Sequence, residues 1–379
     1  MKKLLSLFLT IAMLLGCLSF VACDNNPGST SGEDRQVGLI CEIEEDDDGN
    51  KYAVATKYSI SEEASKKVLN NNYADIMEDL VIDTYEYEGE TYPIKEISAN
   101  CFSNQAVIKS IKFSNKVEKF GSACLSGCIN LQSLEVPFVG ATVDAKNAQK
   151  VLGYLFGSAA VEGCSTISMK YNETGTQAYA IPNSLKEVTV TGDKLSDYAF
   201  YGMNLEKVNL TGNVTAISSF AFAEMQSLKA YEIPAKVTAI GKGAFKNCIN
   251  LAKLDFSKAT ALTAIGSEAF SGCELLGYGK INNLSLPKTL ETLGEKAFYN
   301  CKNLKALDLS TTKLTLVSSY TFYGCVELAQ VKLADGTELS LGAFGKCENL
   351  SKNEFAAFKG VDYAFDLDAE DDVTQGAAN

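Results

Sequence analysis

The chain has 379 residues, with 34 basic against 47 acidic and a formal net charge of −13. An acidic chain without a basic cluster argues against nucleic acid as a partner, and an apolar content of 46% rules out overall disorder. There is no His and no Trp, so Ser–His–Asp catalysis, Cys–His catalysis and histidine metal sites are excluded. Any enzyme built from this chain would work with carboxylates, Lys, Tyr or Cys alone.

The first 23 residues read MKKLLSLFLTIAMLLGCLSFVAC. Lys2 and Lys3 form a positive n-region and residues 4–15 an apolar h-region, the pattern of a secretory signal over residues 1–22. Phe-Val-Ala-Cys at its end looks like a lipobox, with Cys23 as the lipidated residue. Leu14-Leu15-Gly16-Cys17 is a competing box. Cys23 is preferred because polar linker follows it at once, whereas Cys17 would leave apolar residues 18–22 on the mature protein. The expected address is therefore an exported protein, lipid-anchored at the bacterial cell surface. Each buried acyl CH₂ adds about 0.8 kcal/mol, so two or three chains on one Cys make a stable anchor. A polar linker runs to residue 36, and its 13 residues after Cys23 span about 20 Å as a flexible coil.

Residues 37–92 read as an N-terminal cap. Apolar residues 37–43, the turn EEDDDGN and residues 52–60 predict a hairpin. The turn resembles a calcium loop only superficially. Counted from Asp46, loop position 12 is Lys57 and not Glu, so a solvated turn is the better reading. Ser61 is a natural N-cap, with Glu62 and Glu63 suited to a first turn, and predicts a helix over residues 62–69 with a second extending to Asp79.

From residue 93 to 365 one pattern repeats. A Phe recurs at Phe102, Phe200, Phe222, Phe245, Phe270, Phe298, Phe322 and Phe344, with Leu125 in one turn of the series. By subtraction the gaps are 22 to 28 residues, apart from one of 75. Fixed periods of this size mean a stacked solenoid. Three residues after the Phe stands Cys128, Cys248, Cys273, Cys301, Cys325 or Cys347, with Met203, Met225 and Gln105 in the remaining turns. A Leu-x-x-Leu-x-Leu-like run follows, as at Leu251, Leu254 and Phe256, whose last two apolar positions have strand spacing. A second apolar pair comes next, such as Val237 and Ile240, and then Gly or Ser, which permits a tight bend. Each repeat is thus one coil with two short extended sides and two turns. Asn130, Asn204, Asn250, Asn303 and Asn349 precede strand-opening leucines and read as a structural amide ladder.

The stretches LKAYEIPAKVTAIGKGAFKNC and LSLPKTLETLGEKAFYNC closely resemble the BspA-like, Treponema-type leucine-rich repeat of bacterial surface proteins. The resemblance implies a right-handed, β-rich leucine-rich-repeat solenoid, short parallel strands stacked coil on coil, displayed outside the cell. It implies no specific ligand.

Twelve Cys in an exported chain first suggest disulfides. Because Met shares the Phe-x-x-Cys slot, the position instead asks for a soft apolar filler, and buried free thiols are expected. Cys101 and Cys124 fall in an equally interior slot. Cys41 and Cys164 lie outside the array and form the candidate redox pair. No Cys-x-x-Cys occurs, which disfavours a zinc ribbon; no cofactor is implied.

The long gap holds an insertion at residues 138–183. Its Tyr154, Phe156, Tyr171 and Tyr179 either form an aromatic binding surface, suited to a glycan, or pin the excursion to the solenoid flank. Phe355, Phe358, Tyr363 and Phe365 are placed to cover the last coil, and an acidic tail follows over 366–379. The outward strand positions offer a candidate ligand face that includes Lys207, Asn209, Glu232, Lys253, Asp255, Asp308 and Lys332. Its signs are mixed and it has almost no aromatic anchors; the only Arg of the chain, Arg35, is in the linker. The expected partner is a host or neighbouring-cell surface protein or extracellular matrix, held without chemistry. A glycan bound by the insertion is the alternative.

Overall fold

The computed structural model describes residues 37–70, 76–279 and 283–366. The signal, Cys17, Cys23, Arg35 and residues 367–379 of the acidic tail lie outside them.

Both extended sides of the repeat are present, and the structure adds a third. Short parallel strands stack in register, with Val188 beside Leu134 and Val208, Tyr231 beside Leu254, and Leu307 between Leu284 and Val331. Strand side chains alternate with period two, so the middle residue enters the core and its neighbours face water. Two-residue strands such as Ala239–Ile240, Ala264–Ile265 and Thr292–Leu293 stack as a second side. Both extended sides match the two apolar runs of the repeat.

The Phe-bearing segment, expected as a turn, is a third hydrogen-bonded side. The Phe222 N–H donates to the Ala244 carbonyl at 2.8 Å, Phe245 to Ala269 at 2.7 Å, and Phe298 to Thr321 at 2.9 Å. Backbone at both flanks of each Phe is left-handed. Around Phe245 these residues are Gly243 (φ 57°) and Asn247 (φ 57°), and around Phe298 they are Lys296 (φ 57°) and Asn300 (φ 56°). Two left-handed residues four apart turn the chain into and out of a short straight segment that carries the Phe inward. The position two residues after the recurring Phe is often Gly for a second reason. A Cβ on Gly272 (φ 75°) would stand 2.3 Å from Asn247 Oδ1 of the preceding coil.

From Phe200 to Phe344 the rings stack with centroids 4.9 to 5.6 Å apart and planes tilted by 7° to 16°. All are fully buried, and burying one Phe contributes about 1.5–3 kcal/mol. The thiols form a parallel column. Cys248 Sγ donates to the Phe222 carbonyl at 3.0 Å, Cys273 to Phe245 at 3.2 Å, and Cys301 to Phe270 at 3.3 Å. Each slot is therefore a filler with a weak donor that reaches one coil back, and the Cys residues from Cys41 to Cys347 are free thiols. The amide column behaves alike: Asn130, Asn250 and Asn303 each donate at 2.8 Å to a carbonyl of the previous coil.

The Gly after the second side has a different purpose from the one expected. Gly294 has no left-handed backbone; a Cβ there would lie 2.4 Å from the Ser267 nitrogen. Close approach of the coil below, and not a bend, excludes the side chain.

The N-terminal hairpin pairs strands Gly38–Glu45 and Lys51–Ser59. Strand Lys51–Ser59 joins Glu90–Ile97 in parallel, and that strand joins Lys119–Phe120, so the hairpin continues the second side and covers its open end. Helix Glu62–Leu69 is capped by Ser61, whose Oγ accepts from the Ala64 N–H at 3.1 Å. The second helix does not extend to Asp79. Residues 71–75 lie outside the described residues, and Glu78–Ile82 is a strand paired with Ile108–Phe113. The cap thus adds one strand, Glu78–Ile82, to the strand side. At the other end Phe344 packs on Phe355 and Phe365, and its N–H donates to the Ala364 carbonyl at 2.8 Å.

Strands Ser133–Val136 and Glu187–Val190 are direct neighbours, so the insertion leaves and returns without breaking the strand side. It holds a hairpin of Cys164–Lys170 with Thr176–Pro182. It also supplies a rung: the Leu125 N–H donates to the Leu155 carbonyl at 2.8 Å, and Phe156, next in sequence, is fully buried.

Candidate functional site

The seven strand-face residues all lie on the solvent side of the coil. Asn209, Asp255 and Asp308 are half-buried and the other four exposed. Among the described residues their strands fall into three hydrogen-bonded blocks, breaking after Lys207–Leu210 and after Lys253–Asp255. The structure also pairs them. Lys207 reaches Glu187 at 2.8 Å, and Asn209 Nδ2 donates to the same carboxylate at 2.7 Å. Lys258 reaches Glu232 at 2.9 Å, Lys253 reaches Asp255 at 3.7 Å, and Lys332 reaches Asp308 at 4.0 Å. The Lys207 ammonium holds Glu187 below the usual carboxylate range. Asp255 is lowered chiefly by the backbone N–H of Ser257, and Asp308 by the Ser310 hydroxyl. These are solvent-exposed pairs, screened by water, that contribute little to stability. The face is a charge-balanced polar sheet.

The insertion aromatics do not make a platform, which corrects that reading for two of them. Phe156 is fully buried and Tyr179 is 5% exposed. Tyr179 Oη donates to the Ala148 carbonyl at 2.7 Å, and its ring lies against Gly153, where a Cβ would be 2.3 Å away. Burial pushes the Tyr179 hydroxyl up to about 12. Tyr154 and Tyr171 are half-buried against the core. A two-stranded hairpin cannot bury itself, so its large rings are used to seat it on the flank.

Cys41 and Cys164 are on separate elements, the N-terminal hairpin and the insertion. Cys41 is in electrostatic reach of Cys101, and Cys164 of Cys128. Nothing in the geometry joins them as a pair. Burial pushes Cys41, Cys128, Cys248 and Cys347 up to about 12 and raises Cys164, the opposite of an activated nucleophile. Asp46 accepts from the backbone of Asp48 at 3.1 Å and Asn50 at 2.9 Å, which makes the acidic stretch a closed turn. Among the described residues no three His, Cys, Asp or Glu side chains gather to hold a metal.

The outer surface of the Phe side was missed at the level of sequence. Aromatic residues stand two positions before the recurring Phe or one after it, with Tyr198 and Tyr323 buried and Tyr299 half-buried. Tyr198 stacks on Phe220 at 4.9 Å, and Tyr299 on Tyr323 at 5.5 Å with planes 1° apart. Lys ammonium groups lie over them, as Lys150 does over Tyr198 at 5.4 Å and Lys346 over Tyr323 at 5.1 Å. The signal was present as a second periodicity in register with the first. Between the two aromatic groups the same positions hold Gly243, Lys246, Glu268 and Ser271, and the surface sinks into a cleft of about 340 Å³. A smaller cleft of about 170 Å³ lies where the insertion hairpin meets Asn204 and Leu205.

The family of the BspA type leucine rich repeat region matches in six copies, over residues 91–192, 172–282 and 277–365. Three solved structures are similar. A leucine-rich repeat protein from Bacteroides ovatus is 18% identical, with 84% of this chain and 81% of that one covered and a TM-score of 0.41. A leucine rich cell surface protein from Faecalibacterium prausnitzii is 20% identical, with coverages of 84% and 89% and a TM-score of 0.31. The leucine rich repeat protein of T. pallidum is 14% identical, with coverages of 86% and 95% and a TM-score of 0.26. Among curated proteins none matches. With coils, columns and matched repeats running through most of its length, the chain belongs to the BspA-type leucine-rich-repeat family.

Proposed function

We propose that this protein is a lipid-anchored surface binder that holds a protein or extracellular-matrix partner on its strand side and performs no chemistry. The observation that carries the reading is the strand face, whose strands pair in register within three hydrogen-bonded blocks. Its polar columns are ion-paired within the protein, so a partner meets a pre-ordered surface and little side-chain entropy is lost on binding. The reading is further supported by the lipobox-like Cys23 behind a polar spacer and by thiols held protonated through burial. Charge balance favours a partner recognised by alternating signs over one recognised by bulk charge.

Two measurements test it. Labelled palmitate should be incorporated by the wild type and lost in Cys23→Ser, and protease shaving of whole cells should release the repeats. Surface-coupled protein should retain a component of host matrix or of a neighbouring cell, and the triple change Lys207→Glu, Lys253→Glu, Lys332→Glu should abolish retention without unfolding. Retention that survives the triple change would remove the strand side from consideration.

A further inference from the structure

We infer that the cleft on the outer surface of the Phe side is a binding subsite for one neutral sugar ring of a glycan. This site is separate from the strand face. The argument starts from a column. One residue after each Phe, successive coils place Lys246, Ser271, Tyr299 and Tyr323 above one another. Coils in this column are about one ring apart, since Tyr299 and Tyr323 stack at 5.5 Å. Ser271 fills its place with two heavy side-chain atoms where its neighbours use long or aromatic side chains, and the missing bulk is the cleft. Tyr299 walls it on one side and Lys246 on the other, with Ser271 and Gly272 in the floor.

The floor carries a polar group. Ser271 is 7% exposed and lines the cleft, where its hydroxyl can both donate and accept. Asn300 lines the same cleft and adds a side-chain amide, which offers both donor and acceptor.

Charge then selects the class of ligand. The lining contains Lys246 and Lys296 against Glu268 and Glu274, a balance of two and two. Lys246 is paired with Glu268, and Lys302 with Glu274 at 2.7 Å. A phosphate, sulphate or carboxylate ligand would find no net positive field. An apolar peptide side chain would have to cover the Ser271 hydroxyl without satisfying it. A ring with hydroxyls on its edge and C–H groups on its face matches a Tyr wall, a hydroxyl floor and balanced rims. The volume of about 340 Å³ is at the low end for small-molecule sites, which run to roughly 1,000 Å³, and suits one ring with its neighbours projecting into solvent.

The test uses the full chain on an array of glycans ending in neutral hexoses or N-acetylhexosamines, beside sialylated and sulphated ones. NMR titration with the free terminal sugar then gives the affinity. Binding is expected to neutral termini, and Ser271→Tyr, which restores the aromatic column found in adjacent coils, should weaken it at least tenfold with an unchanged melting temperature. Tyr299→Ala removes the wall instead of filling the space and should weaken binding as much. It decides the matter alone if Ser271→Tyr fails to fold. A preference for acidic termini, no binding to any array member, or sugar binding indifferent to a folded variant would overturn the proposal. Retention of a matrix protein on the strand side is read separately, so either result stands without the other.

Discussion

The strand side and the Phe side of each coil solve the same stacking problem differently. On the strand side the backbone does the joining, and exposed side chains pair in ion pairs with little energetic consequence. On the Phe side backbone hydrogen bonds also join the coils, and side chains add to them: stacked rings, thiols that reach back one coil, and at Gly272 a left-handed residue whose neighbour leaves no room for a Cβ. Substitution tolerance should therefore be high on the first and low on the second, while the second, through the gap at Ser271, also offers the better-formed concavity.

The largest expected effect is on the ring column. Phe245→Ala or Phe298→Ala should cost about 3–5 kcal/mol in denaturant unfolding, as a large-to-small change at a site that cannot collapse between two fixed rings. Equal losses from Lys253→Ala would erase the distinction between the sides. Gly272→Ala should cost about 1–2 kcal/mol from its left-handed backbone alone, and more if Asn247 cannot move. Tyr231→Phe should stabilise by about 1 kcal/mol, because Tyr231, whose ring packs on Phe222 and Phe245, buries its hydroxyl with no partner among the described residues. Lys253→Ala should change stability by less than about 0.5 kcal/mol.

The thiol column gives a pH test of the same contrast. Burial raises Cys128, Cys248 and Cys347 to about 12 and Cys273, Cys301 and Cys325 well above their ordinary range, whereas an unfolded thiol ionises near 8.5. Above that value the unfolded chain has lost protons that the folded chain keeps, so stability falls with rising pH. It should be level below about pH 8 and decline from there toward about pH 12, with thiol-reactive dyes excluded until unfolding. Rapid labelling of the folded protein at pH 9 would contradict the buried column.

Much of the interior was legible from spacing. The inward direction of Phe245, the filler nature of Cys248 and the structural use of Asn250 follow from one coil read against its repeats. The helix at Glu62–Leu69 was marked by Ser61. What escaped was set by the coil next door. Gly294 looked like a bend residue and is small because Ser267 lies against it. Phe156 and Tyr179 looked equally suited to a ligand or a core, and only the seating of the hairpin assigns them inward. The strand at Glu78–Ile82 was masked because its partner, Ile108–Phe113, is some thirty residues on.

The linear order of residues determined the period, the coil and the identity of its buried positions, because a ring every 22 to 28 residues can be buried only by its own successors. Tertiary structure alone decided which outward residues meet. The cleft exists because Ser271 stands between Lys246 and Tyr299, residues 25 and 28 positions away in the chain and one coil away in space. Depth on a stacked surface is a difference between neighbours, and no single repeat contains it.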